Sequence, residues 1–163
     1  MSNIYLAETT FGKGVKAKKN INEGKKILDF QGQIISRDEL PDPYNSSNDY
    51  YLQIGIDRFL GPSGELDDYV NHSCDPNSGI VFSKDSITLI AIKPIQQDEE
   101  IFFDYSTTMY NFGWKMKCFC KFKKCRIWVD DFLRIPYQVQ QKYISLGIIP
   151  EYIKVKWRNK NIF

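Results

Sequence analysis

Histidine and long apolar runs are the features that this 163-residue sequence has least of. It contains one histidine, His72, which excludes catalysis by a metal ion held by several histidines. No apolar run approaches the ~20 residues that a membrane-spanning helix needs, so we expect no membrane partner. The first residues, Met1 to Tyr5, have neither the basic start nor the apolar stretch of a signal peptide, and we expect a soluble, intracellular protein.

The sequence does contain the material for one hydrophobic core. Hydrophobic residues make up 42% of the chain and aromatic residues 15%, which suits a single domain. Short β-like runs separated by Gly, Pro, Asn and Asp dominate up to Tyr105, and helical spacing appears from Tyr137 to Leu146. This pattern predicts a mainly β fold with a C-terminal helical tail. The predicted strands are Ile4–Ala7, Val15–Ala17, Lys26–Phe30, Gln33–Ser36, Tyr51–Ile54, Arg58–Leu60, Gly79–Phe82, Ser86–Ile92 and Glu100–Phe103.

Charge is distributed unevenly along the chain, although the net charge is only +2. Eight acidic residues and one base, Arg58, lie between Asp38 and Asp68, whereas six bases and no acid lie between Lys115 and Arg126. An acidic stretch attracts a cationic partner, and a basic stretch can contact a polyanion such as nucleic acid. For either stretch alone, a solvated surface is the simpler interpretation.

The four cysteines indicate a structural metal site. Cys118, Cys120 and Cys125 form a C-x-C-x4-C cluster, and Cys74 lies far upstream, directly after Asn71-His72-Ser73. Disulfides are disfavoured because the cytosol keeps thiols reduced, and four thiolates complete a tetrahedral zinc site without remainder. The alternative is a set of buried free thiols, which pack as small apolar side chains.

Taken one by one, the residues around His72 do not indicate a particular reaction. His72 could pair with Cys74 as a nucleophile, but a Cys74 thiolate bound to zinc would be unavailable for that role. A buried histidine is more often a hydrogen-bonded structural group, and Asp75-Pro76-Asn77 is typical of a tight turn.

The whole string Asn71-His72-Ser73-Cys74-Asp75-Pro76-Asn77 resembles the NHSCxPN signature of SET-domain protein lysine methyltransferases. Further motifs occur in the order that this family has them. They are Phe11-Gly12-Lys13-Gly14-Val15-Lys16-Ala17 followed by Ile21, Glu23 to Gly32, Asp49-Tyr50-Tyr51-Leu52, Glu99-Glu100-Ile101-Phe102-Phe103-Asp104-Tyr105, and the post-SET cysteine cluster Cys118 to Cys125.

The resemblance implies a SET-domain β-clip with a pseudoknot, in which the C-terminal part of the domain threads under an earlier loop. It divides the chain into a SET domain (1–110), a post-SET zinc-binding segment (111–130) and a partly helical tail (131–163). It also implies S-adenosylmethionine as methyl donor and structural Zn2+. The expected zinc ligands are Cys74, Cys118, Cys120 and Cys125, and the expected cofactor-binding residues are Lys13, Gly14, Val15, Asn71, His72, Tyr105 and Trp128.

By the same resemblance, Tyr105 is the expected catalytic residue, and Tyr51 is a second tyrosine of the lysine channel. A narrow aromatic channel would exclude water, align the lysine amine and favour its neutral form. Phe103 occupies a position where the family has Phe or Tyr. A Tyr there holds a water molecule that restricts the product to monomethyl-lysine, so Phe103 predicts di- or trimethyl-lysine.

The chain departs from the family pattern at three places. Asp68-Tyr69 replaces the usual Arg-Phe before the signature, Ile127 replaces a glycine after the last cysteine, and Phe30 replaces a tyrosine. None of these changes removes an expected cofactor-binding or catalytic group. The short chain, without a pre-SET cysteine cluster, is similar to bacterial or viral members of the family.

The resemblance implies that the segment containing the acidic stretch helps to form the wall of the substrate groove, and we therefore expect a substrate lysine in a basic context, such as a histone tail. The corresponding location is the nucleus, of the same cell or of a host, or otherwise the cytoplasm. Two alternatives stay open: a folded non-histone substrate, and a catalytically silent SET-like or zinc module that binds protein or nucleic acid.

Overall fold

The protein is described by a computed structural model for residues 2–42, 44 and 50–160. Parts of the sequence-based expectations lie outside the described residues. These parts are Met1, Pro43 in its predicted turn, Asp49 in the acidic stretch and the Tyr-Leu motif, and residues 161–163 of the tail. The strands are β1 (Ile4–Thr9), β2 (Gly12–Ala17), β3 (Lys26–Asp29), β4 (Ile34–Ser36), β5 (Leu52–Gln53), β6 (Arg58–Leu60), β7 (Asn71–His72), β8 (Ser78–Phe82), β9 (Ile87–Ala91), β10 (Phe102–Phe103), β11 (Met116–Lys117) and β12 (Trp128–Val129). The helices are α1 (Tyr137–Ser145) and α2 (Glu151–Lys160).

The predicted mainly β fold with a helical tail is confirmed. Small sheets make up its body: the hairpin β1-β2, the three-stranded sheets β3-β9-β8 and β4-β6-β5, and the pairs β7-β10 and β11-β12. Each predicted strand has a counterpart, and the predicted helix ends one residue early, at Ser145. The sequence did not predict β7, β11, β12 or α2.

The β-rich body is built around one apolar core. Val15 and Ala17 of β2, Leu89 of β9 and Ile101 all lie in it with no exposed surface. The segment before β10 extends this arrangement, because the Ile101 N–H donates to the Val15 carbonyl over 2.8 Å and the Ala17 N–H donates to the Glu99 carbonyl over 3.0 Å. The hairpin is thereby fixed to the strand that precedes Tyr105.

Strand β7 of the signature segment pairs in parallel with β10, which lies just before Tyr105. Asn71 lies opposite Phe102 and His72 opposite Phe103. Since parallel strands cannot be joined by a tight turn, a long connection that contains β8 and β9 separates them. The Asn77 side chain replaces further strand pairing: its amide donates to the Glu100 carbonyl over 2.8 Å and accepts from the Phe102 N–H over 2.9 Å.

The C-terminal tail forms a second apolar cluster on the sheet that contains β8. Helix α1 contributes Tyr143, and the α1–α2 connection contributes Ile148 and Ile149, all of them nearly or fully buried. A Cβ atom on Gly79 would lie 2.6 Å from Ile148 Cγ2, so the absence of a side chain at Gly79 allows this close contact. No helix in the described part of the chain has the length and apolar character to cross a membrane.

Candidate active site

Two cavities that share lining residues lie beside the paired strands β7 and β10. The larger is a cleft of about 1120 Å³, and the smaller, which we call the channel, has a volume of about 70 Å³. Tyr105 lines both cavities, together with Tyr44, Tyr50, Asp68 and Trp114. A molecule in the cleft and a side chain in the channel would therefore meet at Tyr105.

The cleft contains part of the predicted cofactor-binding set. Lys13, Asn71 and His72 line it, whereas Gly14 and the fully buried Val15 do not. The Asn71 amide nitrogen donates to the Lys13 carbonyl over 3.0 Å and to Glu100 Oε1 over 2.8 Å. These bonds fix the amide so that Oδ1, which accepts from no described residue, can receive a donor from a ligand.

The absence of a side chain at Gly14 leaves room for the Asn71 amide and the Glu100 carboxylate. A Cβ atom at this position would lie 2.8 Å from Asn71 Nδ2 and 2.5 Å from Glu100 Oε1. The missing side chain therefore serves the packing of Asn71 against β2 as well as any approach of a ligand to the backbone.

His72 is a buried, neutral connector between the cleft and the cysteines. Its Nδ1 accepts from the Tyr105 N–H over 3.2 Å, so we assign the ring proton to Nε2, which lies 3.6 Å from Cys74 Sγ. Burial lowers the pKa of His72 to about 4, and the nearby Asp104 carboxylate only partly offsets that effect. A neutral ring with this tautomer can donate to a Cys74 thiolate.

Aromatic rings form the inner part of the channel. The rings of Phe103 and Tyr105 are 4.8 Å apart, and Phe30 packs edge-on against Phe103 at 5.8 Å. The Tyr105 hydroxyl donates to the Val70 carbonyl over 3.0 Å, so its lone pairs can accept a hydrogen bond. Tyr51 also lines the channel.

A buried carboxylate directly before Tyr105 connects three parts of the chain. Asp104, 1% exposed, accepts from Arg126 Nη2 over 2.7 Å, from the Tyr143 hydroxyl over 3.0 Å and from the Ser106 N–H over 3.1 Å. Burial opposes the charge on Arg126, but Asp104 raises the pKa of Arg126 above its ordinary value. In the sequence, Arg126 was one of six bases in an apparently solvated run. In the structure it forms a buried ion pair.

The four cysteines converge at one point. Their sulfur atoms all lie within 4.8 Å of one another, and Cys74 Sγ is 3.8 Å from Cys118 Sγ. Tetrahedral zinc with Zn–S bonds of about 2.3 Å would hold sulfur atoms about 3.8 Å apart, so the set fits this metal. Backbone N–H groups of Cys120, Arg126 and Ile127 donate to Cys118, Cys74 and Cys125 sulfurs, which favours thiolates.

The protonation of these thiols would make metal binding depend on pH. Burial raises the pKa of Cys74 to about 12 and raises that of Cys118 as well. For Cys120, burial acts in the same direction, but hydrogen bonds from neighbouring backbone and thiol groups outweigh it and lower its pKa to about 7. Without a metal, the two more buried sulfurs stay protonated. A divalent cation would release those protons and compensate the negative charge.

The aromatic residues of segment 111–130 differ in position from the expectation. Trp128 is 53% exposed on β12, opposite Lys117, and does not line the cleft. The cleft aromatics from this part of the chain are Trp114 and Phe119, and Phe11 lines the cleft from the β1–β2 turn. Trp114 belongs to no motif of the resemblance, and Phe11 and Phe119 lie within quoted motifs at positions to which the resemblance assigned no role. The role of Trp128 stays a prediction.

The fold and these cavities define a β-rich domain in which a ligand cleft and an aromatic channel share lining residues, Tyr105 among them. A family model described as "SET domain" matches residues 12–106, more than half of the chain. The chain therefore belongs to the SET-domain family, and the resemblance seen in the sequence is confirmed.

Relatives of this chain are named as histone-lysine methyltransferases. Histone-lysine N-methyltransferase Set2 of Drosophila melanogaster is 29% identical over 72% of this chain and 6% of that protein. An H3 lysine-36 specific histone-lysine N-methyltransferase of Candida albicans is 26% identical over 98% of this chain and 21% of that protein. The chain thus spans about a fifth or less of the length of these relatives.

A solved structure supports the fold. The methyltransferase domain of the human histone-lysine N-methyltransferase SETMAR superposes with a TM-score of 0.66 at 21% sequence identity. The superposition covers 80% of this chain and 59% of that one.

Ile127 generates a prediction about the cysteine cluster. It has a φ of 69° and is 57% exposed. A β-branched residue in this left-handed region costs about 1–2 kcal/mol, and Ile127→Gly removes that strain without losing a buried contact. We expect the zinc-loaded variant to be about 1 kcal/mol more stable in urea unfolding, after the entropy cost of glycine.

The matched control is Ile127→Val, which keeps the β-branched strain and should leave the unfolding midpoint unchanged. A lower stability for Ile127→Gly than for the parent would contradict this account.

Proposed function

We propose that the protein is an S-adenosylmethionine-dependent protein-lysine N-methyltransferase that makes di- or trimethyl-lysine. The observation that carries the proposal is the meeting of the cleft and the channel at Tyr105. A two-substrate transfer needs two entrances that end at the same place, and this arrangement provides them.

The cleft residues bind and orient the methyl donor. When bound, S-adenosylmethionine supplies an electrophilic methyl group on a sulfonium. The oriented Asn71 Oδ1 accepts from the donor's amino group, the backbone near Lys13 and Gly14 faces its methionine end, and the His72 backbone faces its adenine. Phe119, which lines the cleft, would cover the adenine, a role that the resemblance assigns to Trp128. This set follows from the family resemblance and from the positions of Asn71, Lys13 and Phe119 at the cleft.

The channel residues position the lysine amine. The rings of Tyr51, Phe103 and Tyr105 exclude water, and the Tyr105 hydroxyl accepts a hydrogen bond from the amine because its own proton is donated to Val70. Burial among these rings favours the neutral amine, which is the nucleophile.

Two carboxylates of the acidic stretch also line the channel. Asp67 accepts from the Gln31 N–H and the Ser63 hydroxyl, and Asp68 accepts from the Ser63 and Gly64 N–H groups. Their charge attracts a protonated lysine and opposes loss of its proton. Deprotonation therefore depends on the aromatic surfaces around Phe103 and Tyr105.

The four cysteines hold structural Zn2+ in this proposal. Cys74 comes from the signature segment and the other three come from the post-SET segment, so the metal would join the cleft residue His72 to Trp114 and Phe119 on the other side of the cleft. The geometric fit of the four sulfur atoms supports this assignment.

A lysine in a basic protein segment, such as a histone tail, is the proposed substrate. The names of the relatives and the carboxylates of Asp67 and Asp68 support it. Elsewhere in the acidic stretch the charge is partly balanced, because Arg37 pairs with Asp57 over 3.1 Å. Such a substrate places the enzyme in a nucleus, or with other basic proteins in the cytoplasm.

Transfer of labelled methyl groups tests the activity. The zinc-loaded protein should label histones or basic lysine peptides more strongly than neutral lysine peptides, and added salt should reduce the difference. Tyr105→Phe should lower the rate at least 100-fold, the scale for losing one positioned hydrogen-bonding group. Scintillation counting and mass spectrometry provide the measurement.

Tyr5→Phe is the matched control, since it removes a surface hydroxyl whose one bond among the described residues is to Asp98. Absence of labelling in histones, peptides and whole lysate would support the silent binding module instead. If only folded proteins were labelled, a folded non-histone protein would be the substrate instead.

Product multiplicity tests the role of Phe103. Its ring is 5% exposed and contacts Tyr105, so Phe103→Tyr adds a hydroxyl beside the amine site. We expect the parent to form di- or trimethyl-lysine and the variant to form mainly monomethyl-lysine in intact-peptide mass spectra. A parent that forms only monomethyl product, together with an unchanged product in the variant, would refute this role.

A further inference from the structure

The C-terminal helices contact the back of the proposed lysine channel through tyrosine hydroxyls. They lie outside the residues 12–106 that the SET-domain model matches. Helix α1 places the buried Tyr143 hydroxyl on Asp104, and α2 places the Tyr152 hydroxyl on two backbone carbonyls. These contacts are made beneath the channel rather than inside it, since neither tyrosine lines the cavity.

The two carbonyls that Tyr152 contacts belong to separate channel segments. The Tyr152 oxygen is 3.0 Å from the Gln53 carbonyl oxygen and 2.5 Å from the Thr108 carbonyl oxygen. Gln53 directly follows Tyr51 and Leu52, and Thr108 lies on the turn that begins at Tyr105. Both Gln53 and Thr108 line the channel.

The Gln53 side chain joins the same two segments at a second point. It is 1% exposed, its amide nitrogen donates to the Tyr110 carbonyl over 3.0 Å, and its amide oxygen accepts from the Tyr110 N–H over 2.9 Å. Lys156 of α2 lies 5.8 Å from the centre of the Tyr110 ring. The only bonds of the Tyr152 hydroxyl in the described chain are to these channel segments, and burial raises its pKa, so it stays a donor at neutral pH.

We propose that Tyr152 is a positioning residue that holds the Tyr51 segment and the Tyr105 segment at a fixed separation. This inference rests on the proposed lysine methyltransferase function, since it assigns the channel to lysine. Without the hydroxyl, Gln53 and Thr108 carbonyls lose a buried donor, and the channel widens or fluctuates. Tyr152 is not among the described residues that line the cofactor cleft, so we expect the cleft to keep its affinity.

The matched pair of variants is Tyr152→Phe and Tyr137→Phe, each of which removes one hydroxyl from the helical layer. Tyr137 on α1 is 46% exposed, stacks on Trp157 and has no hydroxyl partner among the described residues. Hydrogen exchange is followed by mass spectrometry in segments 50–60 and 105–112. It should accelerate at least tenfold in Tyr152→Phe and stay at the parent rate in Tyr137→Phe.

The enzymatic readout separates positioning from a general loss of structure. In Tyr152→Phe, the KM for the lysine peptide should rise five- to tenfold, while the calorimetric affinity for S-adenosylhomocysteine changes less than twofold. Unchanged exchange in both segments, or an equal acceleration over the whole chain, would overturn the proposal. If the parent methylates no lysine but the local acceleration occurs, the proposed function fails and the connection by Tyr152 stands.

Discussion

The buried carboxylate of Asp104 is the interaction on which the site depends. It accepts hydrogen bonds from Arg126 of the post-SET segment, Tyr143 of α1 and the backbone of the Tyr105 turn. An ion pair removed from water contributes little net stability while both partners are present, but removing one partner costs several kcal/mol, about 3–5. The three segments that surround the site are therefore held in one arrangement, and partial displacement of Arg126 is strongly unfavourable.

This arrangement connects the metal-ligand cluster to the reacting end of both cavities. Arg126 follows Cys125 and donates its backbone N–H to Cys74 over 3.5 Å, while His72 lies between Cys74 and the Tyr105 backbone. Cys74 thus contacts His72, which lines the cleft, and His72 in turn contacts the backbone of Tyr105, which lines the channel. In the proposed enzyme, the metal and the buried ion pair together keep the cleft and the channel meeting at one place.

Local strings in the sequence predicted the family, the β-rich fold and the four clustered cysteines. The cysteines were predictable because a tetrahedral site needs four ligands and the chain has four. Arg126 was not, because a lysine-rich run gives no sign that one of its bases is buried. The two-residue strands β7, β11 and β12 form through distant pairing, and the hydroxyl contacts of Tyr143 and Tyr152 depend on how α1 and α2 pack.

The most direct measurement of this account is the affinity for S-adenosylhomocysteine before and after zinc removal. Calorimetry should give a Kd at least tenfold weaker once a chelator has removed the metal, as verified by metal analysis, and zinc addition should restore the original value. Cys74 and His72 provide the physical connection for this effect. An unchanged Kd in protein shown to be free of zinc would contradict the central claim that the cysteine cluster holds the cofactor cleft together.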